Sequence, residues 1–178
     1  GSIKAGAPED VLNSHSKLLD EISLLVTRVG DYSYLILDPD LDTYYTMDAV
    51  LLKLPQNHAS LAEALTRIHS VAGSGALSSD DQIQLRILSE KLSTNLASMD
   101  RNISVATQNT STPEITALGS AFDEYQSAVA LAIDSLDRIG SNPELSDIAF
   151  RDANEKLDAA RSASLSFYNS GTGGLQKG

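Results

Sequence analysis

The sequence predicts an all-α protein, an antiparallel four-helix-type bundle of five to six helical segments with no sheet. Three observations carry this: five helix-start signals in 178 residues, apolar stripes that step by three and four, and no stretch alternating with period two. The connectors between the stripes are short, and long helices joined by short connectors pack antiparallel.

Four starts share one grammar of Pro, an acid, then an apolar residue: Pro8-Glu9-Asp10-Val11, Pro39-Asp40-Leu41, Pro113-Glu114-Ile115 and Pro143-Glu144-Leu145. Pro suits the first helical position because its missing N–H has no partner there, and the acid faces the positive end of the helix dipole. Asp38, Thr112 and Asn142 precede three of these prolines as N-caps, and Ser79-Asp80-Asp81-Gln82 has capping-box spacing. The bodies follow. Val11, His15, Leu18, Ile22, Leu25, Val29, Tyr32 and Ile36 step 4-3 throughout. Further stripes run Leu51, Leu54, His58, Leu61, Leu65, Ile68, Ala72; then Leu85, Leu88, Leu92, Leu96, Met99, Ile103, Ala106. The last two are Ile115, Leu118, Phe122, Tyr125, Val129, Ala132, Leu136, Ile139 and Phe150, Ala153, Leu157, Ala160, Ser164, Phe167. Each stripe belongs to a helix of roughly 30 residues, about 45 Å long.

The ends read as additions to this domain. Gly1-Ser2 without Met looks like a protease-cleavage scar, which makes residues 1–6 a flexible lead, 7–170 the helical domain and 171–178 a flexible Gly-rich tail.

Composition excludes more than it suggests. Apolar residues make up 42% and charged residues 21%, a globular balance. With 13 Lys and Arg against 24 Asp and Glu, the formal charge is -11, which argues against a nucleic-acid partner. There is no Cys, so disulfides, thiolate metal sites and Cys nucleophiles are excluded. The longest apolar run, Ala128 to Ile133, is far below the roughly 18 residues of a membrane span.

The unusual segment lies between residues 34 and 55, which hold three of the chain's six Tyr and four Asp. As a cap, Asp38 accepts from exposed N–H groups while Asp40 and Asp42 favour the dipole. A Ca²⁺ loop places Asp38, Asp40 and Asp42 at positions 1, 3 and 5, but Thr43 stands where the turn needs Gly and Ala49 where a bidentate Glu belongs. The run L-D-P-D-L-D-x-Y-Y-x-M-D-A, with an apolar stretch ending in Leu54-Pro55, resembles the helical extracytoplasmic sensor regions of bacterial transmembrane receptors of chemoreceptor and sensor histidine kinase type. The motif residues are Asp38, Pro39, Asp40, Asp42 and Asp48. The resemblance covers 34–55; elsewhere it extends only to helical character and length. It implies a periplasmic location, a homodimer, flanking membrane spans outside this sequence, and signalling by helix movement to a cytoplasmic output domain.

That topology bears on Pro55. Local phasing predicts a kink there, since the stripe keeps step through it. Both ends meeting one membrane face requires an even number of passes, which predicts a chain reversal at Pro55 with short helices at about 39–54 and 56–73. The reversal is the expectation taken.

No enzyme chemistry emerges: there is no nucleophile elbow, no phosphate-binding Gly loop and no carboxylate–His pairing, so neither a catalytic residue nor a metal site nor a cofactor is expected. His15 and His58 lie on apolar stripes and read as hydrogen-bonded core histidines. His58 and His69 stand about 16 Å apart along a helix, too far to share a metal. A phosphorelay is the rival reading: His69-Ser70-Val71-Ala72-Gly73-Ser74 superficially resembles a phosphotransfer helix, but Ala72 replaces the Lys that neutralises phosphate, and Gly73 ends the helix early. Asp20, Glu21, Asp123 and Glu124 fall beside the stripes as solvated faces. A ligand site between helices or across a dimer seam would use Tyr44 and Tyr45 for shape with Arg28 and Lys53 as cations. Packing is the simpler use of both rings. The expected partner is a small molecule or a periplasmic binding protein.

Overall fold

The computed structural model describes residues 40–74, 77–142 and 147–175, with eight isolated helical positions between Ser14 and Arg28. All regular structure among the described residues is helical: α1 (Leu41–Met47), a π-helical stretch (Asp48–Lys53), α2 (Leu54–Ser74), α3 (Ser79–Asn109), α4 (Pro113–Ser141) and α5 (Asp147–Leu175).

The chain does not reverse at Pro55. From Leu41 to Ser74 it is one helical run, and the six-segment count with separate helices at 39–54 and 56–73 is not found. A proline inside an α-helix removes one N–H and drives its ring against the carbonyl four residues back. Here the turn before the proline is wound as π-helix, with the Leu54 N–H reaching the Ala49 carbonyl, so the ring meets a widened turn. Between Leu52 and Asn57 the sequence offers no Gly with which to turn.

Two helix starts lie one or two residues from their expected places. The capping box of α3 is formed by Ser78: its hydroxyl accepts from the Asp81 N–H at 3.1 Å while the Asp81 carboxylate accepts from the Ser78 N–H at 3.2 Å. Asp40, extended at φ -85° and ψ 112°, is the N-cap residue of α1, although its side chain makes no capping bond. Asp38 and Pro39, and the Pro143 start, lie outside the described residues, and Asn142 is the C-cap of α4, with its N–H on the Ile139 carbonyl. Pro113 opens α4 as expected, after Thr112.

Cross-helix hydrogen bonds fix how the rods lie. Arg86 donates to the Gly140 carbonyl (3.2 Å), Ser89 to Asp137 (2.6 Å) and Gln126 to Asp100 (3.3 Å), so α3 and α4 run in opposite directions. Asn102 to Asp48 and Asn95 to Gln56 (3.3 Å) give the same sense for the first run against α3. His58 with Ser164 (3.0 Å) and His69 with Asn154 (2.6 Å) give it for α2 against α5. Helix α4 also lies along α5, so each of α2 to α5 lies along two others of that set.

The core is where the stripes meet. Every position of the α3 stripe, the α4 stripe and the α5 stripe is buried. At its centre the Tyr125 and Phe167 rings stack at 5.5 Å and 8°, and Phe122 packs tilted against Phe167 at 5.5 Å. Burial of each such side chain stabilises by about 1.5–3 kcal/mol. The first stripe is different: Leu18, Ile22 and Leu25 are helical but 48–60% exposed, and the described core contains none of them.

At the other end, α5 continues past the expected boundary at residue 170 to Leu175. Gly171 is buried there, and a Cβ on it would stand 2.4 Å from Val50 Cγ2. The glycine read from composition as the start of a tail is where this helix packs directly on Val50. Residues 176–178 lie outside the described residues.

Candidate functional site

Helix α1 and the π-helical stretch carry the Asp- and Tyr-rich segment, and together they place its residues on two faces. Thr43, Thr46, Met47, Ala49 and Val50 point into the core. Tyr44 and Tyr45 are half-buried, their rings edge to face at 5.3 Å and 81°. The tyrosines are therefore neither core residues nor fully solvated. Lys53 is half-buried in the last π turn. Arg28 is exposed on the helix ahead of the segment. Among the described residues no hydrogen bond, ion pair or ring contact joins Arg28 or Lys53 to either tyrosine, so the structure pairs the two rings and leaves the two cations separate from them.

The acids divide by task. The Asp42 carboxylate accepts from the neighbouring Thr43 N–H at 2.8 Å in the first turn of α1. Asp48 reaches across to α3, where the Asn102 amide donates to it. Among the described residues no group of three metal-ligating side chains is found, and Asp38 lies outside them.

A buried polar layer beside this segment escaped the reading of the sequence. Asn57 is fully buried on α2 and donates to the Tyr125 hydroxyl on α4 (3.0 Å) and towards the Met99 sulfur on α3 (3.5 Å). Burial pushes the Tyr125 hydroxyl up to about 12, the Asn57 bond pulling the other way. Two fully buried oxygens, Thr46 Oγ1 and Asn57 Oδ1, have no hydrogen-bond partner among the described residues. An unpaired buried polar group costs about 1–3 kcal/mol, so this layer carries a stability penalty. The stripe placed His58 on the core face; Asn57, three residues after Leu54 and four before Leu61 on the same α-helix, takes that place and leaves His58 half-buried.

His58 sits at the α2–α5 seam, half-buried, its Nδ1 bonded to Ser164 Oγ. Burial, and then the positive charge of Arg161, hold its pKa below the ordinary 6.5. The unfolded chain therefore takes up the His58 proton first as pH falls. Stability contributed by the neutral ring is complete above pH 6.5 and declines as pH drops below it, until the native ring also protonates. Thermal unfolding followed from pH 8 to 5 should show this decline, and His58→Gln should flatten it by up to one proton's worth; an unchanged slope in that variant would sink the assignment.

His69 is exposed, its Nε2 bonded to Asn154, and His15 lies outside the described residues. Glu21, Asp123 and Glu124 are exposed. No helix of the described chain is long and apolar enough to cross a membrane. Compared with protein-family models, curated proteins and solved structures, the chain matches none.

Proposed function

We propose that the chain is the extracytoplasmic ligand-sensing domain of a transmembrane signalling receptor, chemoreceptor or sensor histidine kinase in type. Its helices would form one antiparallel four-helix-type bundle, non-enzymatic, homodimeric and periplasmic, that passes ligand state to a cytoplasmic output domain. The run from Leu37 to Ala49, with its resemblance to receptor sensor regions, carries this reading. The neighbour pattern of α2 to α5 supports the bundle. The half-burial of Tyr44 and Tyr45 supports a site there: rings partly open to solvent can give an incoming ligand both an apolar face and a hydroxyl. The ligand is a small molecule, or a periplasmic binding protein that presents one.

A thermal-shift screen of small metabolites tests the reading. A ligand at about 100 times its Kd stabilises by about 2.7 kcal/mol, which for a chain of this size raises Tm by roughly 5–10 °C. Tyr45→Ala should abolish that rise while leaving the ligand-free Tm within a few degrees of wild type. A full ligand shift in the variant places the site elsewhere, and a large fall in its ligand-free Tm makes the ring a packing residue.

One observation favours a second reading, histidine phosphotransfer: His69 is exposed, as a phosphoacceptor must be. Its Nε2 is engaged by Asn154, and Ala72 stands where a phosphate-neutralising Lys belongs. Acid-labile phosphate on His69 after incubation with a phosphorylated response regulator would replace the sensor reading with this one. A purely structural helical domain would give neither ligand shift nor phosphate.

A further inference from the structure

Leu18, Ile22 and Leu25 are 52%, 48% and 60% exposed on the helix ahead of α1. They belong neither to the core cluster nor to the apolar residues packed against it. Spaced four and three residues apart, they line one side of that helix as a continuous ridge, and an open apolar ridge marks an interaction surface. The core of the chain is closed without it. The α3, α4 and α5 stripes are buried along their whole length, and each of α2 to α5 already lies along two others of that set.

The order of residue types along the ridge says what covers it. In a heptad frame Ile22, Val29 and Ile36 occupy the a positions, and Leu18 and Leu25 occupy d. In parallel coiled coils, β-branched residues at a with leucine at d favour two strands. The α4 stripe has the same 3-4 step without that sorting, mixing Ile, Leu, Phe, Tyr, Val and Ala, and it packs inside the molecule. In a parallel pair Ile22 meets Ile22 and Leu25 meets Leu25 of a second copy. The flanking g residues Glu21 and Arg28 then lie towards the e residues Val26 and Ser33 of that copy, so no like charges meet. Net charge favours the same place. Two copies of a chain carrying -11 repel, but residues 11–36 hold two cations, Lys17 and Arg28, against three acids, Asp20, Glu21 and Asp31, a balance of only -1.

We propose that this ridge is the seam of a parallel homodimer, in which Leu18, Ile22 and Leu25 pack on the same helix of a second copy. The inference rests on the homodimeric part of the receptor reading and assigns its contact; ligand sensing does not enter it.

Sedimentation equilibrium of the full chain over a concentration series tests it. The wild type should reach twice the chain mass. The double variant Ile22→Lys, Leu25→Lys puts four unpaired charges into the seam and should weaken association at least about a hundredfold. Its helix content should match the wild type, because neither side chain belongs to the core. The chain contains no Cys, so a single introduced thiol reports proximity unambiguously. Leu18→Cys should form an interchain disulfide under mild oxidation, and Glu90→Cys, exposed on α3, should not. A monomeric wild type overturns the seam and the homodimer together and leaves sensing to the ligand screen. A lysine variant that stays dimeric, or a Leu18→Cys chain that cross-links no better than Glu90→Cys, overturns the seam alone.

Discussion

Phe167→Ala should lower the unfolding free energy by about 3–5 kcal/mol, and Tm by roughly 6–20 °C for a chain of this size. Phe167 is fully buried, and its ring meets two others at 5.5 Å, stacked on Tyr125 and tilted against Phe122. Truncation removes the largest apolar surface that α5 brings to the core. It opens a cavity bounded by two rigid rings that cannot collapse into it, and it forfeits two aromatic contacts worth about 0.5–1.5 kcal/mol each beyond area. Urea titrations of wild type, Phe167→Ala and Phe167→Leu would rank them in the order wild type, Leu, Ala. A loss below about 1 kcal/mol for the alanine variant would mean that α5 does not pack as described.

The second large effect runs against helix propensity. Gly171→Ala lies within a helix, where Ala is normally preferred by about 1 kcal/mol. Its new Cβ would stand 2.4 Å and 3.0 Å from the two Val50 methyls and 3.3 Å from the Val50 Cβ. Valine is stiff at χ1 in a helix, and rotating one methyl away brings the other into the gap. Overpacking of this kind costs about 1–3 kcal/mol, so a net loss is expected. Val50→Ala alone should also destabilise, by emptying a buried site. Combined with Gly171→Ala it should recover stability, with a coupling of at least about 0.5 kcal/mol in a double-mutant cycle. A more stable Gly171→Ala variant, or strict additivity, would rule out the close approach.

These two residues also show what was legible in advance. Phe167 was readable from its place in a stripe, and so were all the buried positions of the α3, α4 and α5 stripes, because an uninterrupted α-helix converts sequence spacing directly into a face. Gly171 was misread: glycine in composition signals a tail, whereas its use here depends on Val50, more than a hundred residues away. The stripe of the first run held at Leu54, Leu61, Leu65 and Ile68 and departed at two positions. Leu51 falls in the π turn, where Val50 is buried instead, and Asn57 rather than its neighbour His58 fills the core position between Leu54 and Leu61. Membrane parity pointed to a reversal at Pro55; the apolar continuation through Leu54 and Leu61 into the core outweighed it. Within the candidate site, the Tyr44–Tyr45 pair followed from adjacency. The Asn57–Tyr125 layer did not, because pairing of polar groups between distant helices has no local sequence sign.

The buried Tyr125 has a further use. The chain contains no Trp, and of its tyrosines Tyr44 and Tyr45 are half-buried and Tyr168 is exposed, while Tyr125 alone among those described is enclosed, stacked on one ring and hydrogen-bonded by an amide. An enclosed, immobilised phenol has a strong near-ultraviolet circular dichroism; Asn57 and Phe167, which touch it, come from two other helices, and Asn57 in turn reaches Met99 on a third. The protein thus carries its own chromophore where α2, α3, α4 and α5 converge, and any rearrangement of those helices can be followed optically without attaching a label.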